Sequence, residues 1–422
     1  MVDKKINQFL LLITIVVLSA LTFAVIADTN IIFSFSVVVI SYVLIAQACQ
    51  TAYTKAQFVV FVVTFSVMLI ILPLQASLNF IPLSGTDWIG FERHVDDIIS
   101  LNVFEAFSSN KTLYVKIITG LYYFFGRNRC LIYFLSYWSF LGSIITVNKT
   151  LRLVNCDHSS SSKALYLVAL SPIEIVFALS YLREMPMQLL SIIILNRCIK
   201  YRVFKKSIFL VEAFLACIVA SMLHSALLAT IVLIFGTLLC NEDDKNFRTK
   251  RLIILFVFIV TLLSTNVLSM MTEKFGDIST DSISNKMSYS NGNTTYVYSE
   301  INGPVDLIIQ LPYRIVMFTF APFPWQIRNI GSLISFFLAS LPQYYHVYFL
   351  FSYIKKRGNK NNKYIMYIII SLAVLYIICS VGTNNYGTAI RHRVKMYPVA
   401  CFLLGLILSL ENEHDKENKS IC

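Results

Sequence analysis

The sequence predicts an all-α protein, a polytopic bundle of about twelve membrane-spanning helices. Of its 422 residues, 57% are hydrophobic and only 14% are charged. A soluble domain carries about 25% charged residues, because its surface must face water. The apolar residues also form repeated long runs without strict alternation, which favours helices over the strands of a membrane β-barrel.

Twelve apolar runs are interpreted as spans, although several are shorter than the ~20 residues that cross a bilayer. They are residues 6–26, 31–48, 57–76, 130–147, 164–181, 185–199, 207–222, 226–240, 252–271, 330–353, 364–381 and 394–410. The first run has no small-residue cleavage site and a second run follows it closely, so we interpret it as a retained span. The hairpins 164–199 and 207–240 are short. Their tips are expected to be recessed below the outer surface, or each pair to be one long broken helix.

Basic clusters set the predicted orientation, because short loops rich in Lys and Arg stay cytoplasmic. These clusters are Lys4 with Lys5, Lys55, Lys149 with Arg152 and Lys163, 200–206, 245–251 and 355–363. With twelve spans, all of them fall on one side, together with both termini and the tail 411–422. The outer loops are then 77–129, 272–303 and 382–393, and the chain forms a single integral membrane domain.

The segment 304–325 is apolar but contains four prolines. The parity of the basic loops leaves no room for a further full span there. Irregular backbone is tolerated at membrane depth only where it packs against protein or lines a cavity. We therefore predict a re-entrant or interfacial element.

Several function classes receive no support from the sequence. The formal charge of +12 is explained by lysines in cytoplasmic loops, so nucleic acid is not a predicted partner. The nine cysteines show neither a paired framework nor the spacing of metal ligands. No phosphate-binding glycine loop, zinc-protease motif or nucleophile elbow is present. Neither a metal nor a cofactor is predicted.

Arginine, in contrast, is frequent on the predicted outer side, where positive charge is not needed for topology. The outer arginines are Arg93, Arg127, Arg129, Arg183, Arg314, Arg328, Arg391 and Arg393. A planar guanidinium binds phosphate bidentately and keeps its charge in a poorly solvated site. Snorkelling, or pairing with a carboxylate such as Arg183 with Glu184, is the alternative for any one of them. As a set they predict an anionic ligand on the outer face.

Two residues lie at the tips of the recessed hairpins, Arg183 in the first and His224 in the second, and we expect both to face one cavity. His224 suits either a helix–helix hydrogen bond or proton transfer, since its ordinary pKa is roughly 6.5. The polar run 384–393 forms a third cluster. Arg391 and Arg393 can grip adjacent oxygens of a pyrophosphate if the backbone there is not helical, because on a helix they would diverge.

These motifs together resemble the EpsG-like and Wzy-type polysaccharide polymerases, the latter including the O-antigen polymerases. The matching segments are Tyr181-Leu182-Arg183-Glu184, Leu223-His224-Ser225-Ala226, Phe320-Ala321-Pro322-Phe323-Pro324-Trp325, the Gly-Thr-Ala-Ile-Arg-His-Arg run ending at Arg393, and Asp87-Trp88. The resemblance extends over roughly residues 87–398. It implies a GT-C-like enzyme of the bacterial inner membrane that moves a glycan from undecaprenyl pyrophosphate onto the next lipid-linked repeat unit. A flippase and a chain-length regulator are implied partners.

The chemistry of this transfer sorts the candidate residues. A pyrophosphate leaving group can be stabilised by arginines without a metal, while the acceptor hydroxyl needs a base that arginine cannot supply. The candidates for catalysis are His224, Glu184, Asp87 and His392; for pyrophosphate, Arg183, Arg391, Arg393, Arg314 and Arg328; and for sugar stacking, Trp88, Tyr289, Tyr296 and Trp325.

Two other readings stay open at the level of sequence. One is a related lipid-linked glycan transferase: an O-antigen ligase or a GT-C glycosyltransferase with a monosaccharide donor. A metal-using enzyme of the latter kind would draw on Asp87, Asp96 and Asp97. The other reading is a flippase for lipid-linked sugar, which needs cavity charges that are accessible from both faces. The outer arginines lie on one face, which favours the polymerase.

Overall fold

The computed structural model describes residues 31–81, 87–239, 295–296, 304–357 and 363–421. Within these residues the secondary structure is helical apart from one isolated β-bridge, between Thr295 and Asn385, so the predicted all-α class is confirmed. The predicted spans 6–26 and 252–271, the basic loop 245–251 and Tyr289 lie outside the described residues.

The chain divides into two compact units. Unit 1 is Met1–Lys149 with Cys156–Leu189, and unit 2 is Thr150–Asn155 with Leu190–Cys422. The described helices up to the start of unit 2's long segment are α1 (Ile31–Cys49), α2 (Lys55–Leu78), α3 (Asp87–Ile99), α4 (Val103–Ser108), α5 (Leu113–Phe125), α6 (Cys130–Leu153), α7 (His158–Leu170), α8 (Pro172–Ala178) and α9 (Glu184–Phe204). Two of the three boundaries between the units fall within α6 and α9, and the third follows Asn155, between α6 and α7.

The helices that follow α9 all belong to unit 2. They are α10 (Ile208–Leu223), α11 (Ile231–Leu239), α12 (Pro304–Phe320), α13 (Ile330–Ser335), α14 (Leu341–Arg357), α15 (Lys363–Val381), α16 (Tyr386–Val394) and α17 (Tyr397–Ile421), with short 3-10 helices at Ser225–Thr230 and Pro324–Gln326. A single π-helical turn, Phe336–Ser340, joins α13 to α14.

Three described helices are long and apolar enough to cross a membrane: Ile32–Cys49, Lys55–Leu78 and Cys130–Leu153. Two bent pairs, α7 with α8 and α16 with α17, raise the number to five if each pair is one span. Their bends are 49° and 60°. Five further apolar helices have 10–17 residues, shorter than the ~20 that a span needs. The apolar character of the bundle is therefore clear, and the number twelve stays a prediction.

Both short hairpins contain a break near the predicted tip. In the first, α8 ends at Ala178 and α9 begins at Glu184, so residues 179–183 form turns and bends between the two helices. In the second, α10 ends at Leu223 and His224 is extended, with φ −159° and ψ 115°. Each break places one candidate motif, Tyr181–Glu184 or Leu223–Ala226, at an interruption of the helical backbone.

The proline-rich segment 304–325 is more regular than predicted in its first part. It forms the 17-residue helix α12, with Pro312 inside, followed by a turn with a cis Ala321–Pro322 bond. At 1.5 Å per residue this helix is about 25 Å long, slightly less than the ~30 Å of a hydrocarbon core. The re-entrant or interfacial placement stays a prediction.

Candidate functional site

A buried carboxylate organises the candidate residues of unit 1. Helix α3 is amphipathic, and Glu92 lies on its buried face with Val95 and Ile98. The hydroxyls of Tyr122 and Tyr181 both donate to Oε1 of Glu92, at 2.6 and 2.5 Å. We name Glu92, Tyr122, Tyr181 and Arg127 the carboxylate cluster.

Arg127 completes this cluster from the segment between α5 and α6. One terminal nitrogen of its guanidinium donates to Oε2 of Glu92 at 2.8 Å, and the other lies 2.6 Å from Asp96 Oδ1. These carboxylates raise the pKa of Arg127 above its ordinary value. Burial, followed by the hydrogen bond to Glu92, raises the pKa of Tyr122, so this phenol stays protonated and donates. Both oxygens of Glu92 are thus hydrogen-bonded, and the cluster fixes α3 to α5.

The Tyr-Leu-Arg-Glu motif is attached to α3 by this cluster. Tyr181 binds Glu92, and the Leu182 carbonyl accepts a hydrogen bond from Ser136 Oγ at 3.1 Å. The guanidinium of Arg183 lies 5.9 Å from the centroid of the Phe91 ring. Glu184 is buried in the first turn of α9, where a negative side chain is favoured by the helix dipole. The structure therefore brings this motif beside the helix that contains Asp87-Trp88.

At the start of α3, Trp88 is covered on one ring face by Arg129. The guanidinium carbon lies 4.6 Å from the ring centroid, a cation–π contact. Asp87 begins the helix, but its side chain lies outside the described part of the chain. Stacking of a sugar on Trp88 would thus use the opposite ring face or displace Arg129.

In unit 2, two motifs that are far apart in sequence meet at their histidines. The rings of His224 and His392 are 4.9 Å apart with an interplanar angle of 65°. Lys395 Nζ lies 2.6 Å from Nδ1 of His392, and the Phe318 ring stacks on His392 at 6.4 Å. We name His224, His392 and Lys395 the histidine cluster.

The run 384–393, predicted as part of a loop, is mostly helical. Asn385 caps helix α16 by accepting a hydrogen bond from the Thr388 backbone N–H at 2.8 Å, and the helix continues to Val394. Successive residues on a helix are separated by about 100°, so Arg391 and Arg393 diverge. The geometry that we required for a joint grip on one pyrophosphate is therefore not present.

Arg393 instead holds the turn after α12. Its two terminal nitrogens donate to the backbone carbonyls of Thr319 at 2.5 Å and Ala321 at 3.0 Å, and its side chain is buried. The Arg-His-Arg run thus has two functions on one helix. Arg393 packs inward against the Phe-Ala-Pro turn, and His392 joins the histidine cluster.

Arg314 and Tyr296 also contact protein groups. Arg314 is fully buried and makes long hydrogen bonds to Val381 O at 3.3 Å and Asn384 Oδ1 at 3.4 Å. The Tyr296 N–H donates to Asn384 O at 2.8 Å, and its buried hydroxyl donates to Met317 O at 3.3 Å. Both residues fasten the segment before α16 to α12.

The remaining two candidates are at the surface. Trp325 is 77% exposed and stacks on Phe323 with ring centroids 4.7 Å apart. Arg328 is exposed, and its backbone N–H donates to Ser332 Oγ at 2.9 Å. An exposed aromatic plane and an exposed guanidinium remain accessible to a ligand.

Only His224 and His392 of these clusters were predicted as site residues. Tyr181 appeared only within a motif and Arg127 only among the outer arginines, while Glu92, Tyr122 and Lys395 were missed. The spacing of Glu92 with Val95 and Ile98 on one face of α3 was the available signal for a buried carboxylate. For Lys395 the available signal was its position two residues after Arg393, in a basic segment that also contains Arg391 and has no acidic residue.

No family model, curated protein or solved structure matches this chain. In the described part of the chain, no group of three or more His, Cys, Asp or Glu side chains is arranged to hold a metal ion. The resemblance to the polysaccharide polymerases therefore rests on the motif residues, and the function is a proposal built on the two clusters.

Proposed function

We propose that this chain is a polysaccharide polymerase of the bacterial inner membrane. It transfers an undecaprenyl-pyrophosphate-linked glycan onto the next lipid-linked repeat unit at the outer face. The observation that supports this most strongly is the 4.9 Å approach of His224 and His392. Each belongs to a motif of the resemblance, and a shared reaction is a reason for two such motifs to converge.

The placement in the membrane is part of the proposal. Three described helices, or five with the bent pairs, are apolar and long enough to span. For the whole chain we propose twelve spans in a GT-C-like arrangement, with both termini in the cytoplasm. The chain-length regulator and the flippase are partners that such a reaction needs.

The reaction itself is a glycosyl transfer. The acceptor hydroxyl attacks the anomeric carbon of the donor glycan, and the bond from that carbon to the pyrophosphate oxygen breaks. The electron pair leaves with the pyrophosphate, and the hydroxyl proton goes to a base. Fixed positive charge beside the leaving oxygen lowers the barrier.

The histidine cluster suggests how these roles divide. A charged lysine has three hydrogens and no lone pair, so a Lys395 ammonium takes His392 Nδ1 as its acceptor across 2.6 Å. His392 then carries its ring hydrogen on Nε2 and serves as a donor. We therefore assign the base to His224, with Lys395 and Arg391 as the positive charge for the pyrophosphate. In unit 1, Arg183 stays a predicted pyrophosphate ligand, and Glu184 and Asp87 stay predicted catalytic residues.

The phenotype of a deletion strain tests the class of function. A polymerase null is expected to display lipid A-core with a single repeat unit, where that core is present. Loss of even the single unit would indicate an earlier transferase or a flippase. Full-length polymer stranded on its lipid carrier would indicate a ligase.

A further inference from the structure

A cavity of about 260 Å³ lies within unit 2, between α12, α14, α15 and α17. Eight of its twelve lining side chains are apolar. On α14 the lining begins at Gln343 and ends at Leu350, and on α15 it extends from Ile369 to Ile377. Within each helix these positions recur at intervals of three or four residues, so one face of each helix forms a wall.

The two ends of the cavity differ in polarity. Gln343 and Tyr376 are at one end, where Gln343 Nε2 donates to the Tyr376 hydroxyl at 3.0 Å. Leu350 and Ile369 are at the other end: Leu350 is seven residues after Gln343 on α14, and Ile369 is seven residues before Tyr376 on α15. Seven residues at a rise of 1.5 Å give a length of about 10 Å. The cavity is thus a short slot with one polar end.

The polar end adjoins the histidine cluster. Thr319 lines the cavity, and its carbonyl accepts the hydrogen bond from Arg393. The centroid of the Phe318 ring lies 5.4 Å from that of Tyr376 and 6.4 Å from that of His392. A molecule that fills the slot and has a head group at Tyr376 would therefore present that head to His392 and Lys395.

The size and lining of the slot select a hydrocarbon. An apolar cavity of ~150 Å³ is known to stay dry and to bind benzene, which has six carbons. By the same ratio, 260 Å³ accommodates about ten carbons, the length of two isoprene units. Ala373 and Ile377 line the slot and are also exposed, so it opens along α15. A chain can therefore continue outward.

We propose that this slot binds the first ten or so carbons of a polyprenyl chain whose phosphate lies at the histidine cluster. The inference rests on the proposed function, in which the substrate is a polyprenyl lipid. A phospholipid acyl chain has the same hydrocarbon chemistry, so the test must distinguish it from a polyprenyl chain. The slot would position the pyrophosphate by holding the chain directly attached to it.

Photolabelling of the purified full chain in nanodiscs of phosphatidylethanolamine and phosphatidylglycerol tests this. One probe is a polyprenyl phosphate with a diazirine in its first isoprene units, and the other is a phosphatidylethanolamine with a diazirine in its acyl chain. Labelled residues are identified by peptide mass spectrometry. The polyprenyl probe is expected to label Leu350 and Ile369, and excess unlabelled polyprenyl phosphate is expected to abolish that labelling.

A matched pair of variants controls for general lipid contact. Ala373→Phe narrows the opening of the slot and is expected to cause loss of labelling at Leu350. Val219→Phe changes an exposed position on α10, 40% accessible, and is expected to leave the labelling unchanged. Because Ala373 is itself exposed, the variant is not expected to disturb folding.

Two results would overturn the proposal. Labelling of the slot by the phospholipid probe without competition from polyprenyl phosphate would assign it to a membrane lipid. Labelling of the slot by neither probe above the level at Val219 would show that no chain enters. Labelling does not require polymer formation, so failure of this inference and failure of the polymerase assignment are separate results.

Discussion

The Tyr181 hydroxyl donates a 2.5 Å hydrogen bond to Oε1 of Glu92 and so joins the Tyr-Leu-Arg-Glu motif to helix α3. Tyr122 donates to the same oxygen and Arg127 to the other one. A residue of a candidate motif thus depends on a carboxylate that lies outside every motif. The position of Arg183 and Glu184 is set by this contact together with the Ser136 hydrogen bond to Leu182.

We expect Glu92→Ala to destabilise unit 1. The change removes the acceptor that the Tyr122 and Tyr181 hydroxyls share. These hydroxyls lie 3.1 Å apart, so one can donate to the other, but the second buried donor is left unpaired, which typically costs about 1–3 kcal/mol. Thermal unfolding of the purified protein in detergent measures this. Asp97→Ala, which removes an exposed ion pair with Lys111, is the control and should change little. Equal unfolding temperatures for Glu92→Ala and the parent would contradict the anchoring role.

A second prediction concerns the close packing of α11 on α15. A Cβ added at Gly236 would meet Cβ and Cγ of Tyr367 at 2.7 and 2.8 Å. These atoms are near the backbone and cannot swing away, so Gly236→Ala is expected to cost about 1–3 kcal/mol through overpacking. At Gly90 in α3 no atom lies within 4 Å of such a Cβ. Gly90→Ala should therefore raise helix stability slightly, and a larger loss for Gly90→Ala than for Gly236→Ala would refute the packing.

Substitutions of the two arginines of α16 should have different effects, one on protein stability and the other on polymer formation. Lysine cannot span the two carbonyls that Arg393 binds, so Arg393→Lys is expected to lower the unfolding temperature and the protein level. Arg391→Ala should leave the protein level intact and reduce polymer formation about 10²- to 10³-fold, the usual effect of losing one transition-state donor. Ladder intensity normalised to protein level distinguishes them. Arg152→Ala, in a predicted cytoplasmic loop, is the control. A near-normal ladder for Arg391→Ala would remove this residue from the site.

Topology is the fourth prediction. Lys245 and Lys360 should be cytoplasmic, and Asp281 and Asn384 should be outside, because the basic loops fix the orientation. Single cysteines at these positions, in a background without native cysteines, are labelled from outside the cell with an impermeant reagent. Labelling at 245 or 360 with none at 281 would reverse the orientation.

The helical class follows from the composition and the apolar runs, and the structure confirms it because apolar periodicity is a property of local sequence. The start of α16 was harder to predict. Asn384, Asn385 and Gly387 resemble a loop, yet Asn385 is an N-cap, and Arg393 holds the helix to the carbonyls of Thr319 and Ala321. Such tertiary hydrogen bonds leave no local signal.

In the candidate site, too, the sequence predicted individual residues but not the tertiary contacts between them. The motif residues His224 and His392 were selected individually from the sequence, but their contact with each other was not predicted. Glu92 was also passed over as a site residue, because charged residues are seldom buried without partners. Its partners, Tyr122 and Tyr181, come from segments well separated from it in the chain.

The polymerase assignment is tested most directly with purified protein in liposomes that contain the undecaprenyl-pyrophosphate-linked repeat unit. The account predicts a ladder of lengthening lipid-linked glycans, with one undecaprenyl pyrophosphate released for each new bond. It further predicts that His224→Ala loses the ladder while remaining folded by its unfolding temperature. Absence of elongation by the folded wild-type protein, or an undiminished ladder from His224→Ala, would contradict the account.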